Sequence, residues 1–385
     1  MKKRILSSVL ALLLILPQLF AAASAAPEIA APSAILMEAS TGQILYEKDA
    51  HVRLAPASVT KVMTLLLTME ALDSGRIAWT DTVTASAAAA AKGGSQIFLE
   101  EGESMSMEDM VKSVVIASAN DCATALAEHI AGSESAFVDM MNQRAGELSM
   151  TDTHFVNCTG LDDDPNAAEH LTSAHDIAVM SRELLKHDAI RKYTTIWMDT
   201  VRDGQFGLTN TNKLVRFYDG ATGLKTGFTS SAGYCLSASA KRDGMELIAV
   251  VMHCDTSVNR FESAKALLSC GFAGWCLVQP EPETELSPIP VTMGTAETVT
   301  PVPEEITPLL LEKSLQKRVT CRTELEPGLA APVEKGQRVG TMTVEADGKT
   351  VAEIPIVAQQ AVPRLSWGQI VLQLLRSVCM NGAEK

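Results

Sequence analysis

The chain has 385 residues, of which 46% are hydrophobic, enough for packed cores in about two domains. Its formal net charge is −14 at pH 7, and −17 once the basic Lys2, Lys3 and Arg4 are set aside, which argues against nucleic acid as a partner. Eight cysteines are scattered among mostly apolar neighbours with no C-x-x-C spacing, so buried free thiols are expected rather than a disulfide framework or a zinc site.

The first segment carries Lys2-Lys3-Arg4, an apolar run over 5–20 and the small residues Ala23-Ser24-Ala25, the pattern of a secretory signal peptide over 1–25. Residues 33–46 hold two apolar runs about Ser40-Thr41-Gly42 and read as a β-hairpin. The next stretch, 55–72, is an almost wholly apolar helix containing one lysine, Lys61. A helix apolar nearly all round is a buried one, and a buried ammonium must be paired or lose its proton. Ser58 lies three residues earlier, one turn away on the same face and at the positive end of the helix. That is a nucleophile with a base beside it. The same S-x-x-K spacing recurs at Ser314 and Lys317, inside a charged run where a lysine is simply solvated.

The segment to about residue 100 contains an alanine tract at 87–91, which has no assignable role, and Gly93-Gly94-Ser95. A helix over 107–117 ends in Ser118-Ala119-Asn120, and Asp121 reads as the cap of the next helix, 122–130, closed by Gly132. Ser118 and Asn120 thus sit on a tight connection. Helices are predicted over 135–148 and 172–185. The acidic loop Asp162-Asp163-Asp164 between them lacks the alternating ligand pattern of a calcium site.

Asp219-Gly220-Ala221-Thr222-Gly223 leads into Lys225-Thr226-Gly227, followed by a hairpin with strands over 233–240 and 245–252 about Arg242-Asp243-Gly244. Lys225, Thr226 and Gly227 are therefore placed on or beside a strand, where Gly227 would let a ligand approach the backbone. A helix over 260–270 follows, then a proline-rich linker or entry strand from 277. Strand-like runs over 338–345 and 350–357 read as a small β domain. Residues 367–380 place Ile370, Val371, Leu374, Leu375 and Val378 on one face of an amphipathic helix too short to span a bilayer.

Ser58-x-x-Lys61, Ser118-x-Asn120 and Lys225-Thr226-Gly227, in this order after a signal sequence, resemble the active-site triplet of penicillin-recognising serine enzymes. With Gly160-Leu161-Asp162, the Ser173-Ala174-His175-Asp176 helix start, Asn259-Arg260 and the β domain with its terminal helix, the chain is similar to the D-alanyl-D-alanine carboxypeptidases, low-molecular-mass penicillin-binding proteins. The resemblance implies an α+β fold of the β-lactamase/transpeptidase type over 27–276, an antiparallel sheet flanked by helices with a helical lobe. A small all-β domain over 277–362 and an amphipathic segment over 363–385 would follow.

The activity implied is removal of the terminal D-alanine from peptidoglycan stem peptides ending in D-Ala-D-Ala, through an acyl-enzyme on Ser58 that β-lactam antibiotics also form. Lys61 would accept the serine proton, Ser118 would relay a proton to the leaving D-alanine and Lys225 would supply positive potential. Asn120 would hold Lys61 and the substrate amide. The backbone N–H groups of Ser58 and Phe228 would stabilise the oxyanion, and Thr226 and Arg260 would bind the terminal carboxylate. No metal and no cofactor are implied. The enzyme would work outside the cytoplasm, at the outer face of the cytoplasmic membrane or in the wall, with peripheral membrane contact through the C-terminal helix.

Ala119 departs from the usual aspartate or glycine of S-x-N, and the terminal helix carries little basic charge beyond Arg376. No G-x-S-x-G is present and none of the histidines matches a catalytic position, which disfavours a Ser-His-Asp hydrolase. Two other readings stay open: a class A-like β-lactamase, although none of Glu128, Glu134, Glu147, Glu169 and Glu183 has Asn four residues on, and a catalytically slow peptidoglycan-binding scaffold.

Overall fold

The computed structural model describes residues 27–163, 165–372 and 375. The segment read as a signal peptide, Asp164 and the far part of the 367–380 helix lie outside these. The hairpin expected at 33–46 forms from strands Ser33–Glu38 and Ile44–Lys48. Its turn is tied by the buried Glu38 carboxylate, which accepts from Ser40 Oγ at 2.8 Å and from the Thr41 amide at 2.7 Å.

This hairpin joins a five-stranded antiparallel sheet in the order Ile44–Lys48, Ser33–Glu38, Met245–Cys254, Gly233–Arg242, Ala221–Thr229. The central strands are covered on both faces, so they read as continuous apolar runs. Alternate residues serve opposite cores. Ile248, Val250 and Met252 pack with Val62, Met63 and Leu66 of helix Lys61–Asp73 and with Ile177 and Met180 of helix Ala174–Leu184. Leu247, Ala249 and Val251 face Ala264, Leu267 and Leu268 of helix Ser257–Gly274. The Lys225-Thr226-Gly227 strand is one edge of this sheet and Ile44–Lys48 the other.

Helix starts follow local capping chemistry, in which a side-chain oxygen takes an otherwise unpaired N–H. Ser133 caps Glu134–Glu147, Ser173 caps Ala174–Leu184 and Thr256 caps Ser257–Gly274, each accepting from the amide three residues on. The alanine tract becomes a single helical turn, Ala87–Ala90, capped by Ser86.

The chain leaves the first body through strand Trp275–Val278, an entry strand that pairs with Leu309–Glu312. A four-stranded sheet follows, ordered Pro301–Pro303, Lys349–Ala358, Arg338–Ala346, Val319–Leu325, over a separate core that includes Val299, Met342, Val344 and Ile356. Asp347 and Gly348 turn its central hairpin with positive φ, which asparagine-like and glycine residues tolerate best. Cys122, Cys158, Cys235, Cys254, Cys276 and Cys321 are buried free thiols, and Cys270 is a half-buried one.

Candidate active site

Ser58 lies on a short 3-10 turn, Ala57–Thr60, that runs directly into helix Lys61–Asp73. Neither element has a side-chain cap; the Val59 amide donates back to the Pro56 carbonyl at 3.2 Å, and the turn sits at the positive end of the helix. Lys61 is fully buried, with Nζ 2.9 Å from Ser58 Oγ and 2.8 Å from the Thr159 carbonyl oxygen. Burial pulls its amine down to about 7, against smaller opposing effects of Cys158 and Asp121. The Cys158 thiol is itself pushed up by burial and by Glu134, so it stays neutral and adds no negative charge beside the lysine. A neutral Lys61 donates to Thr159 O and offers its lone pair to the Ser58 hydroxyl proton.

The Thr159 carbonyl is aimed by a side-chain-built loop that composition alone did not reveal. Asn157 Oδ1 accepts from the amides of Thr159 at 3.1 Å and Gly160 at 2.7 Å, and Asn157 Nδ2 donates to Leu161 O at 3.0 Å. Gly160 has φ +78, and a Cβ there would overlap the Ala57 carbonyl and lie 2.7 Å from Thr60 Oγ1. His170 braces the turn from behind. Its Nδ1 accepts from the Val156 amide at 3.0 Å, which leaves the proton on Nε2 to donate to Thr60 Oγ1 at 2.8 Å.

The predicted 107–117 helix forms as Met107–Lys112 and then widens into a π-helical turn, Ser113–Ala117. Ser118 ends it in the left-handed region, φ 63, and is buried, and helix Asn120–Ala131 begins two residues later. Asp121 is therefore not the cap of that helix; it lies inside the first turn, and Ala119 holds the cap position without a side-chain bond. Its buried carboxylate accepts instead from the amides of Ile97 at 3.1 Å and Leu99 at 3.0 Å. Asn120 does not hold Lys61 as expected. Its Nδ2 donates to Gly93 O at 2.7 Å, its amide donates to Ser95 O at 2.7 Å, and its Oδ1 is buried without a partner. The Gly93-Gly94-Ser95 stretch is thus the loop that Asn120 holds, by its side chain at one end and its amide at the other.

On the edge strand Ala221–Thr229, Lys225 is buried and donates from Nζ to Thr226 O at 2.9 Å. Burial first, then the nearby cations Lys61 and Arg260, hold its amine well below the ordinary lysine range. The lysine expected to supply positive potential is thus one whose charge the protein alone opposes. Thr226 Oγ1 donates to Thr211 Oγ1 at 2.7 Å, and the Thr211 amide donates to Ile116 O at 3.1 Å, which links the edge strand to the Ser118 connection. Thr211 carried no signal in the sequence.

Gly227 serves a different approach from the one expected. A Cβ there would lie 2.6 Å from Pro56 O and 3.1 Å from the amide nitrogens of Ser58 and Val59. The missing side chain admits the backbone of the serine turn itself. Phe228 projects a half-exposed ring that stacks on Tyr234 with centroids 4.3 Å apart. Arg260, near the start of helix Ser257–Gly274, donates to Gly227 O at 3.1 Å and so touches the same strand from its far side.

A family model described as D-alanyl-D-alanine carboxypeptidase matches residues 20–256. The chain belongs to that family. A second model, the C-terminal domain of penicillin-binding protein 5, matches residues 281–364. D-alanyl-D-alanine carboxypeptidase DacF of Bacillus subtilis is 41% identical over 338 residues, 86% of this chain and 85% of that protein. The crystal structure of penicillin binding protein 5 from Haemophilus influenzae superposes with a TM-score of 0.73 at 33% identity, covering 88% of this chain and 99% of that one. Penicillin-binding protein D2 of Listeria monocytogenes, solved in an ampicillin-bound form, superposes with a TM-score of 0.58 at 29% identity over 63% of this chain and 98% of its own.

As a D-alanyl-D-alanine carboxypeptidase the chain is a serine peptidase with the transpeptidase-like α+β fold and the accompanying all-β domain. Glu134, one of the glutamates that could have served a β-lactamase as water-activating base, spends its carboxylate on Lys92 at 2.6 Å and on the Cys158 amide at 3.3 Å.

Proposed function

We propose that this carboxypeptidase cleaves the terminal D-alanine from D-Ala-D-Ala stem peptides of peptidoglycan by the following use of its residues. Ser58 Oγ attacks the carbonyl carbon of the penultimate D-alanine, and its proton passes to neutral Lys61. The backbone N–H groups of Ser58 and Phe228 stabilise the oxyanion. The C–N bond breaks as Lys61 returns the proton, through Ser118, to the leaving D-alanine nitrogen. Water then attacks the Ser58 ester, Lys61 takes its proton, and Ser58 leaves with a proton restored. Asn120 Oδ1, buried and unpartnered, accepts from the substrate amide.

Thr226 and Arg260 bind the terminal carboxylate. That anion also reverses the balance at Lys225, because it favours the ammonium that burial and two cations oppose. The site lies in the 27–276 domain, with the 277–362 β domain and the 363–385 segment following. The enzyme acts at the outer face of the cytoplasmic membrane or in the wall, the C-terminal helix resting on the membrane, and β-lactams acylate Ser58 because their strained amide meets the same nucleophile.

The observation that carries this reading is the fully buried Lys61 amine, 2.9 Å from Ser58 Oγ and, among the described residues, without a carboxylate bound to it. Mass spectrometry after incubation with diacetyl-Lys-D-Ala-D-Ala tests it, alongside labelling with a fluorescent penicillin. Wild type should release one D-alanine and gain one penicilloyl group on Ser58, and Ser58→Ala should do neither. Label retained by that variant, or found on Ser314, would overturn the assignment.

A further inference from the structure

We propose that the rings of Tyr234 and Phe261 position the Arg260 guanidinium for the substrate carboxylate, doing by cation–π contact what an acidic partner would do at the cost of neutralising it. This rests on the reading that Arg260 binds the terminal carboxylate. Arg260 is buried, yet its hydrogen bonds all go to neutral acceptors: Gly227 O at 3.1 Å, Cys235 O at 3.4 Å and Ser257 Oγ at 3.3 Å. Its Nε has no partner among the described residues. Among the described residues no carboxylate pairs with it, and the adjacent Glu262 is engaged by Lys265 at 2.8 Å. Arginine does not shed its proton in proteins, so a buried, unpaired cation persists here and needs compensation.

The rings supply it. The guanidinium carbon lies over Phe261 at 4.6 Å from the ring centroid and over Tyr234 at 5.3 Å, within the range of an attractive quadrupole. A ring face attracts the face of the planar cation and leaves its in-plane N–H directions alone, so among the described residues Nε–H and one Nη2–H remain unspent. An aspartate in the same place would hold the arginine more tightly and then compete with the substrate carboxylate for its fork. The Tyr234 ring also stacks on Phe228, whose backbone N–H is assigned to the oxyanion. Tyr234 thereby links the group that reads the carboxylate to the group that stabilises the reacting centre.

The experiment compares kcat/KM for a D-Ala-D-Ala peptide with that for its C-terminal amide, in Arg260→Ala, Tyr234→Leu, Tyr234→Phe and an enzyme carrying pentafluorophenylalanine at position 234. The last shares the phenyl framework of Tyr234→Phe and inverts its quadrupole, so comparing those two separates the ring's electrostatics from its packing. Arg260→Ala should lower the acid-to-amide ratio and establishes the underlying reading. Tyr234→Phe should keep the ratio within about twofold, while the fluorinated ring and Tyr234→Leu should lower it roughly 5- to 30-fold, mainly through KM. A fluorinated enzyme with the wild-type ratio, or Tyr234→Phe as poor as Tyr234→Leu, would overturn the proposal while leaving Arg260 as the carboxylate ligand. Equal losses on both substrates in Arg260→Ala would instead remove the reading beneath it.

Discussion

With Lys61 as the proposed base, the burial of its amine predicts the pH behaviour of this enzyme. Its amine is drawn down to about 7 by burial, so the free enzyme holds the base in its active, neutral form only above that pH. Acylation by a neutral-bodied β-lactam should therefore rise with pH, reach half its plateau near 7 and stay level above it. Stopped-flow acylation rates across pH 5 to 9 check this, and a rate that falls through the same range would exclude a lysine base. Lys61→Arg should lose acylation by at least about a thousandfold, because a guanidinium cannot accept the proton. The same shift bears on stability. The unfolded chain binds the proton up to the ordinary value of 10.5, so Lys61 makes folding more favourable as pH climbs from about 7 towards 10.5. Ser58 and Lys61 were legible because an apolar helix gives its single lysine nowhere to go. Thr159 and Thr211 were not: one contributes a main-chain oxygen from 98 residues away, and the other meets Thr226 across a separation of 15 residues that holds a short helix and the start of the edge strand.

At the scale of elements, the serine turn is clamped by two glycines from opposite sides, Gly160 of the Asn157 loop and Gly227 of the edge strand. Adding a methyl group at Gly160 combines a left-handed backbone with overlap on the Ala57 carbonyl, a cost of about 3 kcal/mol that should lower Tm by roughly 6–12 °C. Because the strain falls on the residue before Ser58, acylation should drop as well. Gly132 is the control: its φ is +83 but open space surrounds its missing Cβ. Gly132→Ala should cost only about 1–2 kcal/mol from the backbone and leave penicillin labelling intact. If Gly160→Ala were labelled at the wild-type rate, the loop would be a scaffold without influence on the nucleophile. Strands and long helices were readable from their periodicity, and Ser133, Ser173 and Thr256 shift helix starts only by the residue or few that capping adds. Asp121 misled because an aspartate after a turn suits a cap equally well. Its true partners, the amides of Ile97 and Leu99, lie in a loop with no pattern of its own.

For the whole molecule, the open question of placement turns on the balance between a strongly acidic body and an apolar tail. Helix begins at residue 367, and Trp367 is 84% exposed, Val371 53%, Leu372 51% and Leu375 58%, so each leaves half or more of its surface uncovered. Moving four such groups into the acyl boundary of a bilayer contributes about 4–6 kcal/mol, a dissociation constant between roughly millimolar and tens of micromolar lipid. Electrostatics works the other way. Without Lys2, Lys3 and Arg4 the chain carries −17, and the tail offers little basic charge to offset it near anionic headgroups. The protein lacking residues 1–25 should therefore cosediment with zwitterionic vesicles at least as well as with anionic ones at low salt, and added salt should strengthen only the anionic case by shortening the Debye length. Removing residues 367–385 should abolish cosedimentation while leaving penicillin labelling of Ser58 unchanged. Retention of vesicle binding after that deletion, or a requirement for anionic lipid, would assign the membrane contact to another surface.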